Sequence, residues 1–345
     1  MSQLTAFKRI LSAPCYGMLM LVGLAFYGWT RRTPAFAYQS MIRLFCLTRG
    51  RSNDWLSSAI GLARPPYHAI GSQGILKEIN DPAARRDIVA TLRSRGYYIF
   101  KDRLSDDICD RLLAYATTQS CTMCPTDSGG STDRTAAIYR RGSPQAVRYD
   151  FRPADLLEHP DVQRLLADLS FASLAQDYLG SRPLIDVLTM WWSTAFSDRP
   201  ESNAAQYYHF DMDRPKWLKF FVYLTDVELE NGPHGFVCGS QKTGAIPRAI
   251  LDKGYVRLTD EEVKAAFGDG AITTMVAPRG TILVEDTRGL HKGNVVLKGD
   301  RLMLQIQYSN TLFGATYAKT SLRGPVIPEL KDRIREFPEI YSAYL

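Results

Sequence analysis

The sequence is poor in the features that mark several protein classes. Six cysteines in 345 residues, at 15, 46, 109, 121, 124 and 238, are too few and too scattered for the disulfide framework of a small secreted domain. Cys121 and Cys124 have half of a zinc-site spacing, but no second pair completes it, so two loop thiols are expected there. No internal repeat and no low-complexity tract stands out. With 45% hydrophobic and 23% charged residues, disorder and a collagen-like fibre are excluded. The bulk of the chain also lacks excess charge. Residues 1–66 hold eight Lys and Arg against Asp54 alone, a net of +7, which leaves residues 67–345 at −1 of the total +6. A duplex-binding protein needs positive charge on its folded surface, so no nucleic-acid partner is expected.

The basic front end is also hydrophobic. Ile10 to Thr30 is an uncharged run, but Pro14, Gly17, Gly23 and Gly28 interrupt it. A helix of that length would span about 30 Å, roughly a bilayer core. A second stretch, Phe36 to Leu47, places Met41, Leu44, Phe45 and Leu47 on one helix face beside Arg43, the pattern of an interfacial amphipathic helix. Four readings compete. Residues 1–66 are a membrane anchor or hairpin, a hydrophobic helix docked on the protein's own body, a signal peptide, or a transit peptide. Membrane-surface contact through residues 10–47, with the body on the cytoplasmic side, is the leading expectation. Arg64-Pro65-Pro66 marks the boundary between this extension (1–66) and a catalytic body (67–345), because paired prolines resist helix continuation.

In the body, a helix is expected over Pro82 to Arg95, then a strand in Gly96-Tyr97-Tyr98-Ile99-Phe100. A second helix follows, N-capped by Ser105. Residues 119–150 read as a long loop, and helical periodicity returns at 160–179. From 183 to 313 short apolar runs alternate with turns: LIDVLTMWW, AAQYYHFD, WLKFFVYLTDV, HGFVCG, AITTMV, GTILVED and RLMLQIQYS. Evenly spaced short strands of this kind predict an α+β chain around an antiparallel jelly roll, closed by a C-terminal helix.

Histidine is scarce, with five in the chain. In Tyr208-His209-Phe210-Asp211 the period-2 alternation of a strand points His209 and Asp211 the same way, with Phe210 behind them. A facial two-histidine, one-carboxylate site on Fe(II) needs one more ligand, and His291, at the turn after GTILVED, is the candidate. Ten residues on, Arg301 shares a face with Met303, Gln305 and Gln307, while Leu302, Leu304 and Ile306 take the other. An arginine turned into a barrel is costly unless it binds an anion, and its fork suits a carboxylate. His234 reads as a turn residue, His68 and His159 as surface residues, and Arg140 and Arg141 as a solvated face or an anionic-substrate contact.

This constellation resembles the phytanoyl-CoA dioxygenase family of Fe(II)- and 2-oxoglutarate-dependent oxygenases. The likeness runs over about residues 75–320. It is carried by the GYYIFKD opening, His209-Phe210-Asp211, the turn from Glu230 to Gly244, and His291 with Arg301. It implies a double-stranded β-helix with flanking helices, iron on His209, Asp211 and His291, and the distal carboxylate of 2-oxoglutarate on Arg301. The reaction it implies consumes O2, releases succinate and CO2, and hydroxylates a small-molecule or lipid-like substrate, with ascorbate as reductant. Relatives that halogenate replace the metal carboxylate with a small residue, so Asp211 favours hydroxylation. Gly293 stands where some members carry a hydroxyl residue. Two other readings stay open: a silent jelly-roll binding module, and a metal-dependent cupin isomerase or hydrolase.

Overall fold

The computed structural model describes residues 3–125 and 135–345. The chain opens with three helices, α1 (Gln3–Thr30), α2 (Ala35–Thr48) and α3 (Arg51–Ala63). Helix α4 (Pro82–Arg95) has the expected bounds: Asp81 caps its N-terminus and Gly96 ends it in the left-handed region, at φ 93°. Strand β1 (Tyr97–Arg103) and helix α5 (Asp106–Thr118) follow.

The expected loop at 119–150 differs from its reading. It contains three short strands, β2 (Cys121–Met123), β3 (Ala136–Ala137) and β4 (Arg148–Asp150), which extend the main sheet; its middle, 126–134, lies outside the described residues. The helical pattern at 160–179 is also divided. After α6 (Pro153–Glu158), helix α7 (Pro160–Ala167) stops at Asp168, whose carboxylate caps α8 (Leu169–Leu179) by accepting from the Ser170 N–H.

The remaining strands are β5 (Leu184–Thr194), β6 (Trp217–Tyr223), β7 (His234–Val237), β8 (Ile272–Met275), β9 (Thr281–Glu285), β10 (His291–Gly293) and β11 (Asp300–Ser309), with α9 (Arg248–Leu251) and α10 (Asp260–Phe267) between β7 and β8 and α11 (Pro328–Glu336) near the end. They form an eight-stranded sheet, β1-β9-β6-β11-β5-β4-β2-β3, and a three-stranded sheet, β10-β7-β8, both antiparallel throughout. This is the expected jelly roll. Alternation sorts the large sheet. Leu302, Leu304, Ile306, Phe220 and Val284 pack outward under the helices, while Trp191, Met303, Phe221, Tyr223 and Leu283 face Phe236 and Met275 of the small sheet.

One buried ion pair pins the sheet's end. Arg214 Nε donates to Asp186 Oδ2 at 2.6 Å, and the same carboxylate accepts from Gln307 Nε2 and Ser309 Oγ. Both partners are almost fully enclosed. Arg214→Met leaves Asp186 uncompensated and is expected to cost about 3–5 kcal/mol. Urea unfolding checks this, with Asp186→Asn in the same chain expected to restore part of the loss.

Among the described residues, no helix is long and apolar enough to cross a membrane. The apolar stripe of α2 is largely covered by the protein itself: Met41, Leu44 and Phe45 are buried with Ala37, Leu47 is half-buried, and Phe45 stacks on Phe210 with centroids 5.5 Å apart. The docked-helix reading describes this packing. Met20, Leu24 and Tyr27 of α1 turn inward onto Ala37, Met41 and Phe313. Gly23 is needed at that contact, since a Cβ there would clash with the Ala37 methyl. The opposite row, Met18, Leu21, Val22, Phe26 and Trp29, stays exposed. Helix α3 is tied down by Asp54 to Arg288 at 3.0 Å, and Arg64 reaches Glu339 at 2.8 Å.

Candidate metal centre

Two backbone hydrogen bonds build the centre. The N–H of His209 donates to the carbonyl of His291 at 3.0 Å, and the N–H of His291 returns the bond at 2.9 Å. Directly opposed residues of an antiparallel pair project their side chains to the same face, so residues 82 positions apart bring their rings to a centroid distance of 4.4 Å. The run at 204–211 is not the full strand expected from sequence. His209 sits in an isolated bridge that continues the small sheet beyond β10. Asp211 is fixed by its own N–H, which donates to the Thr287 carbonyl at 2.7 Å.

Each imidazole is oriented by the carbonyl two residues before it. His209 Nδ1 lies 2.9 Å from the Tyr207 oxygen and His291 Nδ1 lies 3.0 Å from the Gly289 oxygen. A proton on Nδ1 leaves each Nε2 lone pair turned to Asp211, at 3.6 Å for His209 and 3.4 Å for His291. One ligand atom from each of the three residues lies within 4.8 Å of the others, so His209, Asp211 and His291 can hold one ion.

The electrostatics favour a cation there. Burial pushes the His209 pKa well below the ordinary imidazole value, with the nearby His291 adding to it. Burial acts on His291 too, but the Asp211 charge outweighs it and holds that pKa above the ordinary value. For Asp211, burial works against ionisation, and Lys219 and His291 overcome it, so the carboxyl sits well below the usual range.

Lys219 was not singled out from sequence. It lies on β6, pointing inward, and its Nζ is 2.5 Å from Asp211 Oδ2 and 3.4 Å from Asp213 Oδ2. A lysine in the middle of the buried strand WLKFFVY was the available signal, since an inward charge needs a partner. It restrains the rotation of Asp211. Lys219→Met is expected to weaken metal binding by ~10–100-fold, the usual effect of losing an outer partner of a ligand, with the fold retained. Titration with Mn(II), followed by electron paramagnetic resonance, measures it.

A second pair escaped notice for the same reason. His234, expected in a turn, is buried on β7 with Nδ1 2.9 Å from Glu285 Oε1, and Glu285 Oε2 has no partner among the described residues.

Arg301 faces inward, as expected. Registered across β4, β5 and β11, Arg148, Ser193 and Arg301 form one row on the inner face. Arg301 donates to the Gly232 carbonyl and to Ser193 Oγ, while its Nε is buried with no partner among the described residues. Burial pulls its pKa down to about 10. Arg141, by contrast, is held in an ion pair: both its Nε and Nη2 donate to Asp300 at 2.9 Å, against the Trp192 ring. Cys121 Sγ bonds the Ala137 carbonyl and Cys124 Sγ lies 3.1 Å from Asp150 Oδ2; neither belongs to the metal-capable cluster.

The solved structures to which the chain is similar include three at low identity. One is EctD from S. alaskensis in its apoform (21% identity, 77% of this chain and 95% of that one, TM-score 0.49). Another is the alpha ketoglutarate dependent epimerase SnoN from nogalamycin biosynthesis (20% identity, 73% and 90% covered, TM-score 0.45). A third is HygX from Streptomyces hygroscopicus with nickel and 2-oxoglutarate bound (16% identity, 69% and 94% covered, TM-score 0.44). No curated protein matches the chain. The family described as Phytanoyl-CoA dioxygenase (PhyH) matches residues 92–294, a span that takes in His209, Asp211 and His291 and ends just before Arg301. That span is well over half of the sequence, and the chain belongs to this family.

Proposed function

We propose that the protein is an Fe(II)- and 2-oxoglutarate-dependent oxygenase that hydroxylates a small-molecule substrate. The observation that carries the reading is the pairing of a two-histidine, one-carboxylate cluster with a buried, under-partnered arginine in the same barrel. The donor set fits the group. Two neutral imidazoles and one carboxylate are the facial ligands of non-haem Fe(II) and leave open positions on the ion. Arg301 fits the remote carboxylate of a dicarboxylate cosubstrate, with Ser193 beside it in the same row.

When bound, iron and 2-oxoglutarate supply the oxidising power, with O2 as co-reactant and succinate and CO2 as products. The chain's own residues do the rest. His209 and His291 present Nε2 because Tyr207 and Gly289 hold Nδ1. Lys219 keeps Asp211 ionised and turned to the site. His209, Asp211 and His291 are buried, and Trp191, Phe221, Tyr223 and Met303 form a packed apolar cluster on the inner face of the same sheet, which keeps bulk water from that side.

Uncoupled turnover tests the reading without knowledge of the substrate. The purified protein with Fe(II), ascorbate and 2-oxoglutarate is expected to form succinate slowly, and Mn(II) with 2-oxoglutarate is expected to raise its melting temperature together more than either alone. A chain that binds neither would be a silent jelly-roll module. One that binds metal and ignores 2-oxoglutarate would fit a cupin isomerase or hydrolase.

A further inference from the structure

The helical front end and the body enclose a cleft that the metal chemistry does not use. Its volume is about 670 Å³, within the range of small-molecule sites. Tyr16 of α1 and Ile42 and Leu47 of α2 form one side, and Met212, Leu251 and Tyr255 form the other. The apolar walls are backed by a packed cluster, Phe45, Phe210, Ile246 and Leu290, so the cleft has a firm floor.

The charges at its edge are not balanced in the way its walls are. Asp213 is taken up by Lys219 at 3.4 Å, Lys253 by Glu262 at 3.0 Å, and Asp252, the other carboxylate in the lining, is partnered as well. Arg43 on α2 and Arg248 at the start of α9 also line the cleft, one from each side, and neither is in an ion pair among the described residues. An apolar interior between two arginines suits a molecule with a hydrocarbon body and an anionic end, since a guanidinium forks onto phosphate or carboxylate while the chain takes the dry surface.

We propose that this cleft is a binding site for a single-chain anionic amphiphile, with the acyl or alkyl part between α2 and the 251–255 segment and the anionic head between Arg43 and Arg248. The occupant would adjoin the segment that carries His209 and Asp211: Asp213 lines the cleft and shares Lys219 with Asp211. The site itself needs neither metal nor 2-oxoglutarate, so its test is independent of the oxygenase reading.

The test is isothermal titration of the full-length, metal-free protein with dodecyl phosphate below its micellar concentration. Saturable one-to-one binding is expected. Ile42→Trp, which fills the cleft, and Arg248→Glu, an exposed position whose change leaves the fold intact, are each expected to weaken it by about tenfold or more. Dodecyltrimethylammonium and inorganic phosphate are expected to bind far more weakly, the first carrying the opposite charge and the second lacking the chain. Three results would each overturn the proposal: no saturable binding to the parent protein, equal binding of the cationic amphiphile, or undiminished affinity in both variants. The last would place the amphiphile elsewhere, such as the exposed row of α1. Mn(II) binding by both variants, measured alongside, is expected to match the parent.

Discussion

Alanine at His209, Asp211 or His291 is expected to abolish 2-oxoglutarate turnover and to weaken Fe(II) or Mn(II) binding by more than the ~10–100-fold that follows loss of an outer partner. Each residue supplies one of the three donors found among the described residues, and the three atoms are already gathered within 4.8 Å. The pH dependence has a defined sign. A proton on His291 competes with the metal, and the Asp211 charge raises that pKa above the usual ~6.5. Metal affinity therefore rises with pH as His291 loses its proton. The stability of the metal-free protein runs the other way. A raised folded pKa contributes stability that is fully present below ~6.5 and is lost as pH climbs through the folded value. The metal-induced rise in melting temperature should accordingly grow with pH in the parent and vanish in His291→Ala. A thermal shift in His291→Ala equal to the parent's would remove His291 from the site.

The fold and the heart of the site could be read from sequence because both rest on period-2 alternation. RLMLQIQY separates Arg301 and Met303 from Leu302 and Leu304, and those rows lie on the inner and outer faces of β11. The same rule aligned His209 with Asp211, while the distant partner His291 came from its place after a strand and from family likeness. Lys219 and Glu285 obey that rule too, each a charge in an apolar strand, but one strand does not reveal which neighbour compensates it. Helix α1 was ambiguous for a different reason. Met20, Leu24 and Tyr27 on one side and Met18, Val22, Phe26 and Trp29 on the other are equally apolar, so periodicity gave no docking face. The covering of α2 by Phe210 is a long-range contact, and hydropathy alone cannot separate a stripe that meets lipid from one that meets the protein's own core.

Arg301 offers the sharper discrimination, because function and stability should move in opposite directions. Its guanidinium is buried, donates to Gly232 and Ser193, and has an unpartnered Nε among the described residues. Truncating one member of a buried hydrogen-bonded charge pair costs about 2–5 kcal/mol. Arg301→Gln should therefore raise the KM for 2-oxoglutarate by on the order of 10²-fold, or affinity should fall by that factor in a direct titration with Mn(II) present. Arg301→Lys keeps the charge but not the fork, and should fall between the two. Metal binding without cosubstrate should stay at the parent's level in both. The stability effect follows from the pKa. A base whose folded value is pulled down to about 10 is penalised as a cation at neutral pH, and that penalty fades only as pH rises through the folded value. Removing the charge in Arg301→Gln should then raise the melting temperature of the cosubstrate-free protein at pH 7, while the added stabilisation by 2-oxoglutarate disappears. A binding residue that costs the fold stability is the usual mark of a functional site. If Arg301→Gln instead melts earlier and binds 2-oxoglutarate as the parent does, the arginine is a strut between Gly232 and Ser193, and the cosubstrate carboxylate must be held elsewhere.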